Sequence, residues 1–456
     1  MSTSPLTKWA QQRPSSLALL TENHQYCWQE LKERVDAYAA QITLRGLKQG
    51  DVLTCIGKNT PEMMMVYLAC LELGVICALT MPQPDEVLQN KLDTLYSGPP
   101  HLWWSGHASL RNTSNSIELS SSSSAHSSFN SYLPDNPASI VFTSGSTGKP
   151  KAVLHTSAQH LASASGLLER FRFTEQHTWL LSLPLYHVSG LAIVYRWLFA
   201  GACLKVGCGE LLKDIQGVTH ASLVATQLKR LLESGIDTEL SHVLLGGSHV
   251  PQELSLAAAE RGIETWLGYG MTEAASTVTA KQINDHHSAG CVLPRRGVKL
   301  KEKRIFIKGE TLAKGYYHQG MVTPLASDEW FDTKDLGEWR NNELVIIGRA
   351  DNQFISGGEN IHCEEIEAVL NSHEQVAQAI VIPVADIEFG TRPVAVVQTP
   401  MPIVKAEFDA FLSDKLVKFK WPMAYYVMPK SLLETGIKVS RQAVKDWLEK
   451  EVQNSD

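Results

Sequence analysis

What this chain lacks narrows its function first. It has no run of about 18 apolar residues that would cross a bilayer. Its start, "MSTSPLTKWAQQRPSSLALL", lacks the basic opening and continuous apolar stretch of a signal peptide. Basic residues are not in excess: 41 Lys and Arg stand against 48 Asp and Glu, a net charge of −7. That balance argues against nucleic acid or an anionic membrane as the main partner, and the missing apolar run against integral membrane association. The eight cysteines form no CxxC pair and no zinc-like Cys/His spacing. They read as small core residues in a reducing compartment. A G-x-S-x-G elbow is also missing, which weakens a serine-hydrolase reading. The expectation is a cytoplasmic protein whose partners are small molecules, with homo-oligomerisation left open.

What is present is enough for large cores. The 456 residues are 44% apolar and 20% charged, so more than one folded unit is expected. "WQELKERVDAYAAQITLRG" and "PEMMMVYLACLELG" read as helices, and "DVLTCIG" as a strand. Residues 112–131 are serine-rich and read as an exposed loop. From 138 to 270, strands such as "ASIVFT", "HASLVA", "SHVLLGG" and "IETWLGYG" alternate with helices. That rhythm predicts a parallel sheet covered on both faces, with ligands beyond the strands' carboxyl ends. Three strand ends carry small polar or glycine residues: "TSGSTG", "GGS" and "GYGMTEAAS". One site built from all three is expected. After about residue 290, short strands and turns suggest a small β-rich subdomain. The boundary of a compact α+β unit is expected near Asp351, giving domains 1–350 and 351–456.

The stretch "TSGSTGKPK" follows a strand. Gly145 and Gly148 permit turns that expose backbone N–H groups, Thr143, Ser144, Ser146 and Thr147 add hydroxyls, and Lys149 and Lys151 add charge. Pro150 breaks the pattern of a Walker phosphate loop. In "GYGMTE", Tyr269 can flank a planar base, Thr272 can reach phosphate, and Glu273 offers a carboxylate of the kind magnesium prefers. Each has a bland alternative, a polar surface loop or a solvated charge.

Order along the chain decides between them. "TSGSTGKPK", "PLYHVSG" (184–190), "GYGMTE" (268–273), "FDTKDLGE" (331–338), "GRADNQFISGGENIHCEEIE" (348–367) and "GIKVSRQ" (436–442) resemble, in order, the core motifs of the adenylate-forming superfamily. The resemblance implies an α/β adenylate-forming fold, with a large N-terminal adenylation domain and a small mobile C-terminal domain. It implies ATP, Mg2+ and coenzyme A as cofactors or co-substrates. It assigns Thr143 to Lys149 to phosphate, and Gly246, Gly247 and Ser248 to the stretch along the adenine. Gly268, Tyr269, Gly270, Met271 and Thr272 complete the nucleotide site, Glu273 is the metal ligand, and Asp335 and Arg349 contact ribose. Lys438 would stabilise the anionic approach of carboxylate and α-phosphate, Asp351 would be the hinge, and His187 would gate the acyl pocket and assist thioester formation. The superfamily usually has T-G-D where this chain has Thr333-Lys334-Asp335, and glycine where it has Ala152.

Beside His187, the acyl pocket candidates are small and polar: Ser189, Ser222, Thr226, Ser276 and Thr277. They suit a compact aromatic acid with a second polar group better than a long acyl chain. "LSLPLYHVSGLAIVYRWLFAGA", "HASLVATQLKRLL" and "EFGTRPVAVV" resemble the 2-succinylbenzoate–CoA ligases of menaquinone biosynthesis. That substrate carries a second carboxylate, for which Arg296 is the expected donor and Arg295 the fallback. Another aryl- or fatty-acyl–CoA ligase, or a non-catalytic nucleotide-binding sensor or scaffold, remains as an alternative.

Overall fold

The computed structural model describes residues 3–98, 103–105, 117–119, 131–144, 150–246, 250–356, 359–433 and 439–453. The large N-terminal part is built on two sheets. In the first, Glu264–Met271, His242–Gly246, His220–Leu223, Thr178–Leu180, Cys203–Lys205 and Leu17–Leu20 run parallel in that spatial order. Antiparallel strands flank them: Ser276–Gln282 and Cys291–Val292 on one side, Gln25–Cys27 on the other. In the second sheet, Pro137–Ser144, Ile76–Thr80, Val52–Ile56 and Trp103–Ser105 are parallel. Pro150–Thr156, Gly315–His318 and Met321–Thr323 continue it antiparallel.

This corrects the expectation of one parallel sheet over 138–270. "ASIVFT" belongs to the second sheet, and the chain returns from it along the antiparallel strand Pro150–Thr156 before any helix starts. Ala152, Val153 and Leu154 complete a buried strand, and β-branched Val153 favours its extended backbone. The helix begins only at Ser157, where Thr156 and Gln159 form a capping box.

Two helices are almost wholly apolar, with Glu62 and Glu72 the charges of one and Arg196 that of the other, as elements buried on nearly all sides must be. Pro61–Leu73 starts with a Thr60 cap on the Met63 N–H and ends at Gly74, whose φ of +68° closes the helix. Every side chain from Met63 to Leu73 is buried. Val188–Ala200 is buried from Gly190 to Leu198, and Tyr67 and Tyr195 join the two helices hydroxyl to hydroxyl at 2.9 Å. The largest core runs through these helices and both sheets, taking Leu19, Trp179 and Leu204 from the first and Leu53, Leu79 and Val141 from the second. Each fully buried large apolar side chain there contributes roughly 1.5–3 kcal/mol.

A four-stranded antiparallel sheet, Arg296–Lys301, Arg304–Gly309, Phe331–Arg340 and Glu343–Arg349, forms the β-rich subdomain. Beyond the 3-10 turn Ala350–Asn352, a two-stranded ribbon and the sheet Gln378–Asp386, Gly390–Gln398, Ala424–Val427 carry their own apolar cores. Five cysteines are buried and Cys208 is exposed. Among the described residues, no helix is long and apolar enough to cross a membrane.

Candidate active site

The stretch "TSGSTGKPK" joins two neighbouring antiparallel strands of the second sheet. Thr143 pairs with Lys151 and Ser144 with Pro150. Gly145, Ser146, Thr147, Gly148 and Lys149 lie outside the described residues, as do Gly247, Ser248 and Lys438. Gly246 ends its strand opposite Gly268 on the neighbouring parallel strand. The strands that carry "GGS" and "GYG" are therefore side by side in one sheet, and "TSGSTG" follows a strand of the other.

The "GYG" motif is fixed by close approach of the strand Ser276–Gln282. A Cβ on Gly270 would lie 1.7 Å from the Ser276 carbonyl oxygen, so no other residue fits there. Ala275 and Ser276 carry positive φ angles of 50° and 91°, local strain of the kind that clusters at functional sites. The turn Thr272–Ala274 projects from this strand end.

Tyr269, Asp335, Arg349 and Asp351 form one connected group. The Tyr269 hydroxyl donates to Asp335 Oδ2 at 2.6 Å, and Arg349 Nη1 donates to Oδ1 at 3.2 Å. Arg349 also donates to both oxygens of Asp351, at 2.9 and 3.1 Å. Burial raises the Asp335 carboxyl, against the lowering effect of Tyr269 and Arg349. Lys334, in the place of the usual glycine, has a φ of +63°. The turn thus keeps the glycine conformation at a cost in backbone strain, and Thr333 caps the Asp335 N–H at 3.0 Å.

Glu273 is half-buried at the turn, and Oε1 accepts from the Tyr316 hydroxyl at 3.0 Å. Among the described residues it forms no ion pair, and no group of three or more His, Cys, Asp or Glu could hold a metal. A carboxylate oxygen with no partner among the described residues fits magnesium, which commonly takes one or two carboxylates and completes its shell with phosphate and water.

His187 caps the helix Val188–Ala200 without a side-chain cap bond, and Ser189 lies in its first turn. The segment before it is pinned by Asn59, which donates to the Leu181 and Leu183 carbonyls and accepts from the Leu185 N–H. Further along the same helix is a residue the motif reading passed over. Arg196 is 2% exposed, with Nη1 3.5 Å from Ser222 Oγ and Nη2 3.3 Å from Thr277 Oγ1. Its guanidinium lies 5.2 Å from the Trp179 ring, and among the described residues Nε has no partner and the side chain makes no ion pair. Burial, with the nearby Arg296 charge, pulls its pKa down to about 9, so it stays cationic at neutral pH. A lone charge inside an apolar helix was the available signal.

Arg296 donates to the Pro294 carbonyl at 2.7 Å and to the carbonyl and hydroxyl of Ser163 at 3.0 and 3.1 Å. Its pKa is lowered to about 10, by burial first and then by Arg295. Arg295 pairs instead with Glu310 at 3.0 Å near the surface. Among the described residues neither Arg196 nor Arg296 has a carboxylate partner, and they are near enough for one charge to shift the other. A buried unpaired guanidinium is costly, and an incoming carboxylate would remove that cost.

Residues 6–87 and 100–317 match the family described as AMP-binding enzyme, and residues 365–436 match AMP-binding enzyme C-terminal domain. The chain is 40% identical over 453 residues to the 2-succinylbenzoate–CoA ligase of Escherichia coli K12, covering 98% of each chain. A solved structure of a point variant of E. coli MenE with bound OSB-AMS superposes with a TM-score of 0.88 at 38% identity, covering 99% of this chain and 100% of that one. O-succinylbenzoate coenzyme A synthetase from Bacillus subtilis, in complex with ATP and magnesium ion, gives a TM-score of 0.83 at 27% identity, with 94% and 96% covered.

Proposed function

The chain belongs to the family of AMP-binding enzymes, and we propose that it ligates 2-succinylbenzoate to coenzyme A through an acyl adenylate, in menaquinone biosynthesis. The observation that carries the choice of acid is the buried Arg196 beside Ser222 and Thr277, with no carboxylate partner among the described residues. An acid with two carboxylates can seat one there while the other reacts. Arg296 is the second cation of that seat.

In the first step the succinyl carboxylate attacks the α-phosphorus of ATP, forming the mixed anhydride and releasing pyrophosphate. Asp335 and Arg349 hold ribose, with Tyr269 orienting Asp335. Thr143 to Lys149 grip the β- and γ-phosphates, and Gly246 to Ser248 with Gly268 to Thr272 flank the base. Glu273 would hold magnesium, which when bound offsets phosphate charge. Lys438 stabilises the charge gathered as two anions meet. In the second step the CoA thiol attacks the acyl carbon and AMP leaves. His187 and Ser189 line the acyl entrance, and Asp351 is the pivot between domains 1–350 and 351–456. The barrier is lowered mainly by placement and charge. We assign the reaction to the cytoplasm, where ATP and CoA are at hand.

The test is AMP release with CoA over a panel of acids: 2-succinylbenzoate, benzoate, 3-benzoylpropionate and medium-chain fatty acids. The expected order puts 2-succinylbenzoate at least about 100-fold above the others in kcat/KM, the size of one charge-assisted pairing. A fatty acid or benzoate in first place overturns the substrate.

A further inference from the structure

Tyr316 belongs to none of the motifs that define the site, yet three observations tie it to the metal-binding carboxylate. Its hydroxyl donates to Glu273 Oε1 at 3.0 Å, and Oε2 has no partner among the described residues. Lys151, on the strand returning from the phosphate loop, places its ammonium 5.0 Å above the Tyr316 ring. The main chain of the same turn is also held: the Ala313 N–H donates to the Glu273 carbonyl and His155 Nε2 to the Thr272 carbonyl, both at 2.8 Å.

The backbone fixes where Tyr316 stands. Its strand is paired on both edges, Tyr316 with Val153 and with Thr323. Gly315 has a φ of +153°, and a Cβ there would lie 2.1 Å from the Thr323 carbonyl oxygen. Only glycine allows that approach, and the approach delivers the next residue to Glu273. The ring is therefore held by two strands, and its hydroxyl is a fixed donor.

We propose that Tyr316 is a positioning residue for magnesium: it anchors one oxygen of Glu273 and leaves the other as the ligand. This rests on the reading of Glu273 as the metal ligand given above. A free glutamate must freeze its side-chain rotations when it captures a cation, and an anchored one has already frozen them. Hydrogen-bond partners of ligating carboxylates typically change metal affinity by about 10- to 100-fold when removed. Lys151 strengthens the anchor, because a cation over the ring face draws electron density from the phenol and makes its O–H a better donor.

The experiment compares wild type, Tyr316→Phe and Glu273→Gln in the full chain. Mn2+ binding in the presence of a non-hydrolysable ATP analogue is read by electron paramagnetic resonance. Pyrophosphate exchange is measured against Mg2+, and thioester formation is started from purified acyl adenylate. Tyr316→Phe is expected to weaken Mn2+ binding about tenfold and to raise the Mg2+ requirement of exchange by the same factor. Its melting temperature without ligands and its rate from the acyl adenylate stay at wild-type values. Wild-type Mn2+ binding in Tyr316→Phe, beside weakened binding in Glu273→Gln, overturns the role of Tyr316 alone. Unchanged binding in Glu273→Gln overturns the metal-ligand reading itself.

Discussion

Arg196 Nη2 lies 3.3 Å from Thr277 Oγ1, a buried cation touching a hydroxyl where a carboxylate would be expected. Replacing Arg196 with Met removes the charge and keeps the packing against Trp179. KM for 2-succinylbenzoate is expected to rise about 100-fold while KM for ATP stays within about twofold. With 3-benzoylpropionate, which lacks the second carboxylate, the same substitution has little effect. Steady-state kinetics on both acids check this, and an equal loss on both would exclude a carboxylate at this site.

The Tyr269–Asp335–Arg349 group predicts a graded response in nucleotide binding. Asp335→Ala is expected to raise KM for ATP by about 10- to 100-fold, the size of hydrogen bonds to a charged group. Tyr269→Phe, which only frees Asp335 to rotate, is expected to cost several-fold less. Calorimetric binding of ATP to both variants measures the order, and the reverse order would remove Asp335 from the ribose contact.

Lys334 offers a gain instead of a loss. Its φ of +63° is the conformation that glycine adopts without strain. Lys334→Gly is expected to raise stability by up to about 1 kcal/mol and leave the KM for ATP unchanged. Chemical denaturation reads the difference. A destabilised variant would mean that the lysine side chain holds the turn by contacts that outweigh the strain.

The first sheet and its neighbours bury histidines in neutral form. Burial lowers His155 to about 4 and His220 to about 3, and lowers His160 as well. Above the unfolded value near 6.5 neither state is protonated, so stability is fully present there. Below it the unfolded chain takes up protons that the folded one refuses. Each such imidazole then removes about 1.4 kcal/mol per pH unit until its folded pKa is reached. The melting temperature is expected to be flat from pH 8 to 6.5 and to fall increasingly between pH 6.5 and 4. A flat profile down to pH 5 would show that these rings are already charged in the folded protein.

The parts of this protein that were legible in its sequence are those whose cause is local. Pro61–Leu73 announces itself by Thr60, Pro61 and Gly74, and Asp335 by its place in "FDTKDLGE". Membership of the strand "ASIVFT" in a second sheet was not legible. A strand's partner depends on the path of the whole chain, and the return strand Pro150–Thr156 is too short and mixed to show a period. Arg196 was hidden for a related reason: a charge in an apolar helix reads as one that reaches solvent, and only packing against Trp179 shows that it does not. Tyr316 acts on a residue 43 positions away, a distance no spacing rule spans.

The helix Pro61–Leu73 has a consequence for how the enzyme can be tuned. The strand that leads into "TSGSTGKPK" belongs to one sheet and the strands that carry "GGS" and "GYG" to the other, and the core that joins the two sheets passes through this helix. Its side-chain volumes therefore act as a spacer. Truncating Met64 or Val66 would let the gap relax, and a ligand that must touch both sheets at once would register a loss of calibration with no contacting residue altered.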